Sequence, residues 1–311
     1  MANSSMVTCF LLMSFGEDWR LRILLSVSFL MMYLATLLGN LIIITVTTID
    51  QNLHTPMYFF LRNLSILDMC YISLTVPNAC FNSFTGNRVI SVAGCTSQIF
   101  LVIYCAYVEI LFLTIMARDR YVAICQPLYY PIRMNHKFCV QSTLASVLSG
   151  LIYAAVHTGN TLRLSFCQSN VVPQFFCDIP SLLRLSCSDT FSNKLLLLLS
   201  VLGVGGSCFV FMALSYIQIF STVFKLRTRE QGKAFSTCTP HILVVTLFLS
   251  SISSVYLRPS LTSETIQDII LSIFYTIVPP FSNPIIYSLR NKQVKEAVKK
   301  VILRHSSVLQ F

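Results

Sequence analysis

The chain predicts an all-α membrane protein, a seven-transmembrane helix bundle with a short amphipathic helix after the seventh span. Three observations carry that prediction. Of 311 residues, 55% are hydrophobic and only 11% charged, whereas a soluble domain of this size has about a quarter of its residues charged. Seven apolar stretches each reach the roughly 20 residues that a helix needs to cross a bilayer. Lysine and arginine are also shared unequally between the two sets of loops, as membrane insertion requires. The net charge of +10 would suggest nucleic acid in a soluble chain. Here it is read by membrane side, and no nucleic-acid partner is expected. The expected segments are an outer N-terminus over 1–22, the membrane domain over 23–289 and an inner tail over 290–311. Met1 to Arg22 lacks a basic start and a cleavage site, so the first span is expected to act as its own insertion signal.

Span one, Ile23 to Val46, has no charge but carries Gly39 and Asn40, residues of the kind that face neighbouring helices. Upstream, Asn3-Ser4-Ser5 is a glycosylation sequon placed correctly for an outer N-terminus. Asn63-Leu64-Ser65 is formally another, expected on the inner side and unmodified. Span two runs from about Met57 to Ala79 and span three from about Cys95 to Ala123. They contain Asp68 and Glu109, and a mid-span carboxylate costs roughly 2.5 to 3.5 kcal/mol to insert. Two such acids are expected to face each other and share a proton or a sodium ion with polar groups such as Asn40 and Asn283.

Span four, Phe138 to Leu162, has His157, expected to be a packing residue rather than a ligand contact. Span five is Leu195 to Phe224. Span six, Ala234 to Leu257, holds His241 and Pro240, which removes a backbone donor and should bend the helix. Span seven, Ile269 to Leu289, is interrupted by Pro279, Pro280 and Pro284. Beyond it, Val294, Ala297, Val298, Val301 and Ile302 form an apolar stripe among lysines, the pattern of a helix lying on the bilayer surface.

With the N-terminus outside, 15 of the 22 lysines and arginines fall on the inner side, so the tail is expected in the cytoplasm. Cys95 opens span three on the outer face, and Cys167, Cys177 and Cys187 lie in the long loop after span four. Four cysteines allow three pairings, and the spacing leaves them open. The remaining cysteines lie mainly in spans as small apolar residues.

Leu113 to Cys125 reads LTIMARDRYVAIC and closes span three with Arg118, Asp119, Arg120 and Tyr121. A guanidinium at a membrane helix end is costly unless hydrated or paired, and Asp119 supplies the partner. Such a pair can act as a latch: once open, Arg120 becomes a donor for something arriving from the water side. An acid followed by Arg and Tyr resembles the third-helix motif of rhodopsin-like G-protein-coupled receptors, and the flanking residues resemble their olfactory branch. The resemblance covers about Gly39 to Lys292. It includes LHTPMYFFL (Leu53 to Leu61), LSILDMC (Leu64 to Cys70), Ser215-Tyr216, KAFSTC (Lys233 to Cys238) with His241, and NPIIYSLRN (Asn283 to Asn291). In order and at these spacings they look like a class II, tetrapod-type olfactory receptor.

The resemblance implies disulfides Cys95–Cys177 and Cys167–Cys187. It implies a ligand cavity lined by Val102, Ile103, Ala106, Tyr107 and Ile110, by Ser200, Val201 and Val204, by Ile252, Ser253 and Tyr256, and by Thr276. Activation and coupling would fall to Asp119, Arg120, Tyr121, Tyr216, Arg227, Lys233, His241, Asn283, Pro284 and Tyr287. The implied partners are a small volatile odorant, a stimulatory heterotrimeric G protein that raises cyclic AMP, trafficking chaperones and the plasma-membrane bilayer. No cofactor is expected beyond the sodium ion. The chain departs from the pattern at Arg118, where Tyr is usual, at Phe248-Leu249-Ser250, where Phe-Tyr-Gly is common, and at Pro240, where Ser is more usual. The tail holds no cysteine for a palmitoyl anchor.

None of the expected cavity residues is charged, which suits a small, neutral, mostly hydrophobic ligand. Burying ~150 Å² of ligand at about 25 cal/mol/Å² contributes about 4 kcal/mol, so binding should be weak and tuning broad. Two other readings differ in class: a receptor for a non-odorant metabolite, and a channel or transporter using Asp68 and Glu109, against which stand the missing inverted repeat and the lack of further mid-span charges. No nucleophile, base or metal-ligand cluster supports an enzyme.

Overall fold

The computed structural model describes residues 8–13, 18–166, 170–225, 228–256, 266–291 and 293–300, without the side chains of 228–230, 233, 252–256, 266–273, 289 and 290. The expected spans appear as α1 (Trp19–Ile49), α2 (Pro56–Thr85), α3 (Val92–Cys125) and α5 (His136–Thr161), with α4 (Tyr130–Arg133) in the connection before α5. Span five is α7 (Phe191–Ser200) and α8 (Gly206–Val223), joined by a π-helical turn at Val201–Gly205. Spans six and seven are α9 (Thr228–Tyr256) and α10 (Ile266–Arg290), and α6 (Ile179–Leu185) lies in the loop after α5. A last helix, α11, covers 293–300.

Local chemistry places the helix ends slightly beyond the apolar stretches. Pro56 opens α2 in its first turn, where the missing N–H costs nothing, and Gly86 closes it at φ 71°, a left-handed position that favours glycine. Ser91 caps α3 by accepting from the Gly94 N–H, and Asn135 caps α5 by accepting from the Phe138 N–H.

The bundle packs around α3, which touches α2, α5, α8 and α9, while α1 packs on α2 and α10. Gly150 lets α5 pack close against α3, since a Cβ there would stand 2.7 Å from Val108 Cγ2. Leu24, Met31 and Leu38 recur every seven residues on α1 and are 64%, 62% and 60% exposed. A stripe of large apolar side chains facing outward in this way is a lipid-facing surface. Among the described residues six helices are apolar and long enough to cross a membrane. The seventh of the bundle is α10. The protein is a multi-pass membrane protein.

At the Arg120 end, α11 docks by its apolar stripe, with Val294 and Ala297 buried in the main core. Tyr58 fixes its start by donating to Asn291 Oδ1 (3.2 Å) and Gln293 Oε1 (2.6 Å). The opposite end carries a small sheet that the sequence reading did not anticipate. Strand β1 (Cys9–Leu12) lies between β2 (Val89–Ser91), with which it is antiparallel, and β3 (Val171–Val172), with which it is parallel. Alternation along β1 turns Phe10 and Leu12 inward, where they are buried with Cys95, Cys177, Val172 and Leu182.

Candidate functional site

Beneath the sheet, α3, α5, α7 and α8 enclose a cavity of about 490 Å³. Its roof is the loop stretch Phe176 to Pro180, drawn onto α3 by the disulfide Cys95–Cys177. Gln98 reinforces the roof, accepting from the Cys177 N–H (2.8 Å) while donating to Leu74 O (2.7 Å). Val102, Ile103, Ala106, Tyr107 and Ile110 line one wall, and Ser200, Val201 and Val204 another. The α3 residues share a face because three- and four-residue steps return to the same side of a helix. Tyr107 stacks on Tyr153 with ring centroids 4.4 Å apart, and Tyr153 meets His157 at the same spacing. Tyr153 donates to Ser200 Oγ (3.1 Å), and Ser200 donates to Leu197 O (2.9 Å).

Two lining residues alter the sequence picture. His157 is buried and packs on Tyr153, yet its ring also borders the cavity. Asp178 brings a carboxyl group to a cavity expected to have none. It caps α6 by accepting from the Ser181 N–H (3.0 Å) and accepts from the Tyr275 hydroxyl (3.1 Å). Burial raises its carboxyl above the ordinary carboxylate range, opposed by those hydrogen bonds and by the Arg184 charge. Thr276 does not line the cavity. It is fully buried with its hydroxyl unpaired among the described residues, and Tyr275 lines the cavity instead.

Midway along the bundle, Asn283 of α10 donates through Nδ2 to both oxygens of Asp68, at 3.1 and 2.9 Å. Glu109 of α3 is buried as well. Glu109 Oε1 and Asn283 Oδ1 have no hydrogen-bond partner among the described residues. Asn40, expected to join this group, instead donates to Thr36 O and Pro280 O, tying α1 to α10. The two unpaired oxygens, one of a carboxyl group and one of an amide, are with the Asp68 carboxyl of the hard kind that suits a small cation or a shared proton.

At the far end of α3, Arg120 Nη2 pairs with Asp119 Oδ2 at 2.8 Å, and the Asp119 side chain is fully buried. The other Asp119 oxygen accepts from the Tyr130 hydroxyl (2.8 Å), so α4 covers the pair. Burial first, and then the Asp119 charge, push the Tyr130 phenol upward, which keeps it a donor. Tyr216 of α8 does not reach Arg120. Its hydroxyl lies 2.6 Å from His241 Nδ1, and His241 Nε2 lies 3.0 Å from Leu113 O. A carbonyl can only accept, so Nε2 carries the proton and Nδ1 accepts from Tyr216. The imidazole therefore ties α9 to α3 and α8. Tyr287 is buried with its hydroxyl unpaired among the described residues, and Pro284 packs where Gly39 leaves room, 3.0 Å from the place a Cβ would take. Tyr121 is partly buried and accepts from Gln126 (3.2 Å). Arg118 stands over the Phe138 ring at 4.8 Å, joining α3 to α5 by a cation–π contact.

Several expected residues lie outside this description. Asn3, Cys167 and Arg227 fall outside the described residues, as do the side chains of Lys233, Ile252, Ser253 and Tyr256. Cys187 is disulfide-bonded.

Comparison with known proteins settles the family. The family model described as olfactory receptor matches residues 29–305. The chain belongs to the olfactory receptor family. Olfactory receptor 14C36 of Homo sapiens is 63% identical over 305 residues, covering 98% of each chain. Olfactory receptor 14A16 of Homo sapiens is 48% identical, covering 97% of this chain and 98% of its own. The crystal structure of squid rhodopsin shares the fold, with a TM-score of 0.73 at 17% identity over 91% of this chain and 81% of that one. The family consists of signalling receptors rather than enzymes. What sequence reasoning missed in this olfactory receptor are the cavity roles of His157, Tyr153, Asp178 and Tyr275, and the Tyr130 and Tyr216 partnerships. Tyr153, His157 and Tyr275 were left out of the expected set because periodicity alone does not tell a cavity wall from core packing.

Proposed function

We propose that the receptor binds small, uncharged, mostly hydrophobic volatile molecules in the cavity below Cys177 and answers by activating a stimulatory G protein, which raises cyclic AMP. One observation carries this: a single helix, α3, walls an apolar cavity at one end and holds a closed acid–arginine pair at the other. Asp178 does not redirect the choice of ligand, because both its oxygens already accept from the protein. Ligand shifts the population towards a form in which α9 swings away from α3. The His241 bridge to Leu113 and Tyr216 breaks in that form, freeing Tyr216 to move to Arg120 as Arg120 leaves Asp119. The cleft so opened, rimmed by Arg227 and Lys233, accepts the C-terminal helix of the G-protein alpha subunit. The disulfide end then faces outward and α11 the cytoplasm, at the plasma membrane, consistent with the bias of positive charge.

Arg120→Ala should abolish most odorant-evoked cyclic AMP at normal surface level, read with a reporter in cells supplied with trafficking chaperones. Full signalling by that variant would refute the latch. Asp68 and Glu109, with Asn283 Oδ1, would hold a sodium ion. The ion would supply positive charge between the two acids and hold α2, α3 and α10 together. Added sodium should then raise the unfolding midpoint of the purified receptor, and Asp68→Asn should remove that rise. An equal rise in the variant would discard the site.

A further inference from the structure

The polar side chains of the cavity fall into two sets, those already paired and those left open. Tyr153 and Ser200 are committed to each other and to Leu197 O. Tyr107 stacks on Tyr153, and His157 meets Tyr153 tilted at 43°. Tyr153 and His157 meet because they are four residues apart on α5, and the stack crosses to α3 at Tyr107. Among the described residues neither the Tyr107 hydroxyl nor either His157 ring nitrogen makes a hydrogen bond, although both side chains border the cavity. His157 is only 5% exposed, so water outside the protein does not satisfy it. Tyr107 is partly buried and His157 buried, and both border the cavity, so a molecule bound there can supply the hydrogen-bond partner that each lacks.

Resting on the reading of this cavity as the odorant site, we infer that Tyr107 and His157 form an oxygen-binding subsite. Its ligand is an apolar molecule carrying one carbonyl or hydroxyl oxygen. A phenol O–H and an imidazole N–H are both donors, and one carbonyl oxygen has two lone pairs to receive them. A hydroxyl oxygen can accept from one and donate to the other. A hydrocarbon of the same size fills the same space but leaves both groups unpaired. Such a site rejects an analogue lacking the polar atom far more strongly than it rejects a change of one methylene. Selection in this receptor therefore turns on the oxygen first and on chain length second.

The test uses 2-octanone, 1-octanol and n-octane as probes of equal length. Binding is read as the shift in unfolding midpoint of the full-length receptor in lipid nanodiscs, and signalling as cyclic AMP in cells. Octanone and octanol should raise the midpoint, and octane at the same concentration should not. His157→Phe keeps a ring on Tyr153 and should weaken binding of the oxygenated probes about ten-fold, while His157→Gln, which retains a donor and an acceptor, should weaken it less. Tyr107→Phe gives the same reading should the His157 variants fold poorly. Octane binding as well as octanone, equal octanone affinity in His157→Phe and Tyr107→Phe, or no shift from any of the three probes would overturn the subsite. A midpoint shift without cyclic AMP would leave the subsite standing and defeat the coupling proposal. Cyclic AMP responses that rank octane with octanone would do the reverse.

Discussion

Cys177→Ser is expected to leave little of the receptor at the cell surface. The bond it removes joins residues 82 positions apart, and closing a loop of that length stabilises the native state by about 4.5 kcal/mol in the chain-entropy account. Gln98 gives the Cys177 backbone one hydrogen bond and Tyr275 gives Asp178 another, but the roof would lose its covalent tie to α3. Cys95→Ser should have the same effect, and the double variant should be no worse than either single one, because all three remove one bond. Surface immunolabelling against total protein makes the measurement. Wild-type surface levels in either single variant would show that the roof is held by packing of Phe176 and Ile179 rather than by the bond.

Asn283→Ala should destabilise the receptor by about 1 to 3 kcal/mol, the usual cost of leaving a buried polar group without its hydrogen bonds. Its side-chain amide gives Asp68 two hydrogen bonds, and Asp68 is 2% exposed, so no water replaces them. Combining Asn283→Ala with Asp68→Asn should recover part of the loss, since an unpaired amide costs less to bury than an unpaired carboxylate. The unfolding midpoint of the purified receptor is the readout. A double variant no better than Asn283→Ala would mean that the lost stability comes from α10 packing instead.

The helices were legible because lipid imposes one rule on every span: about 20 apolar residues with the backbone satisfied internally. The Asp119–Arg120 pair and the Asp68–Asn283 pair were legible for a related reason, since polar residues in such a setting must find one another. What the sequence hid depends on geometry finer than composition. Neighbouring residues on a helix point about 100° apart, and so Tyr275 faces the cavity while Thr276 faces the packed interior. The expectation named the right turn and the wrong side of it. His157 was judged a packing residue, and its contact with Tyr153 agrees, but one ring can pack on its face and offer nitrogens at its edge. Asp178 lies in a loop, where no periodicity exists to place it. The sheet joins strands of four, three and two residues, too short for any alternating pattern to register.

That sheet also sets a timetable for biosynthesis. Its central strand is made before any of the spans, whereas the partner beside Leu11 and Leu12 is Val171–Val172, which leaves the ribosome only after four spans have been made. One edge of the strand can pair with Val89–Ser91 after two spans, but the other must wait until about half the chain is synthesised, and the mouth of the receptor closes as a late event.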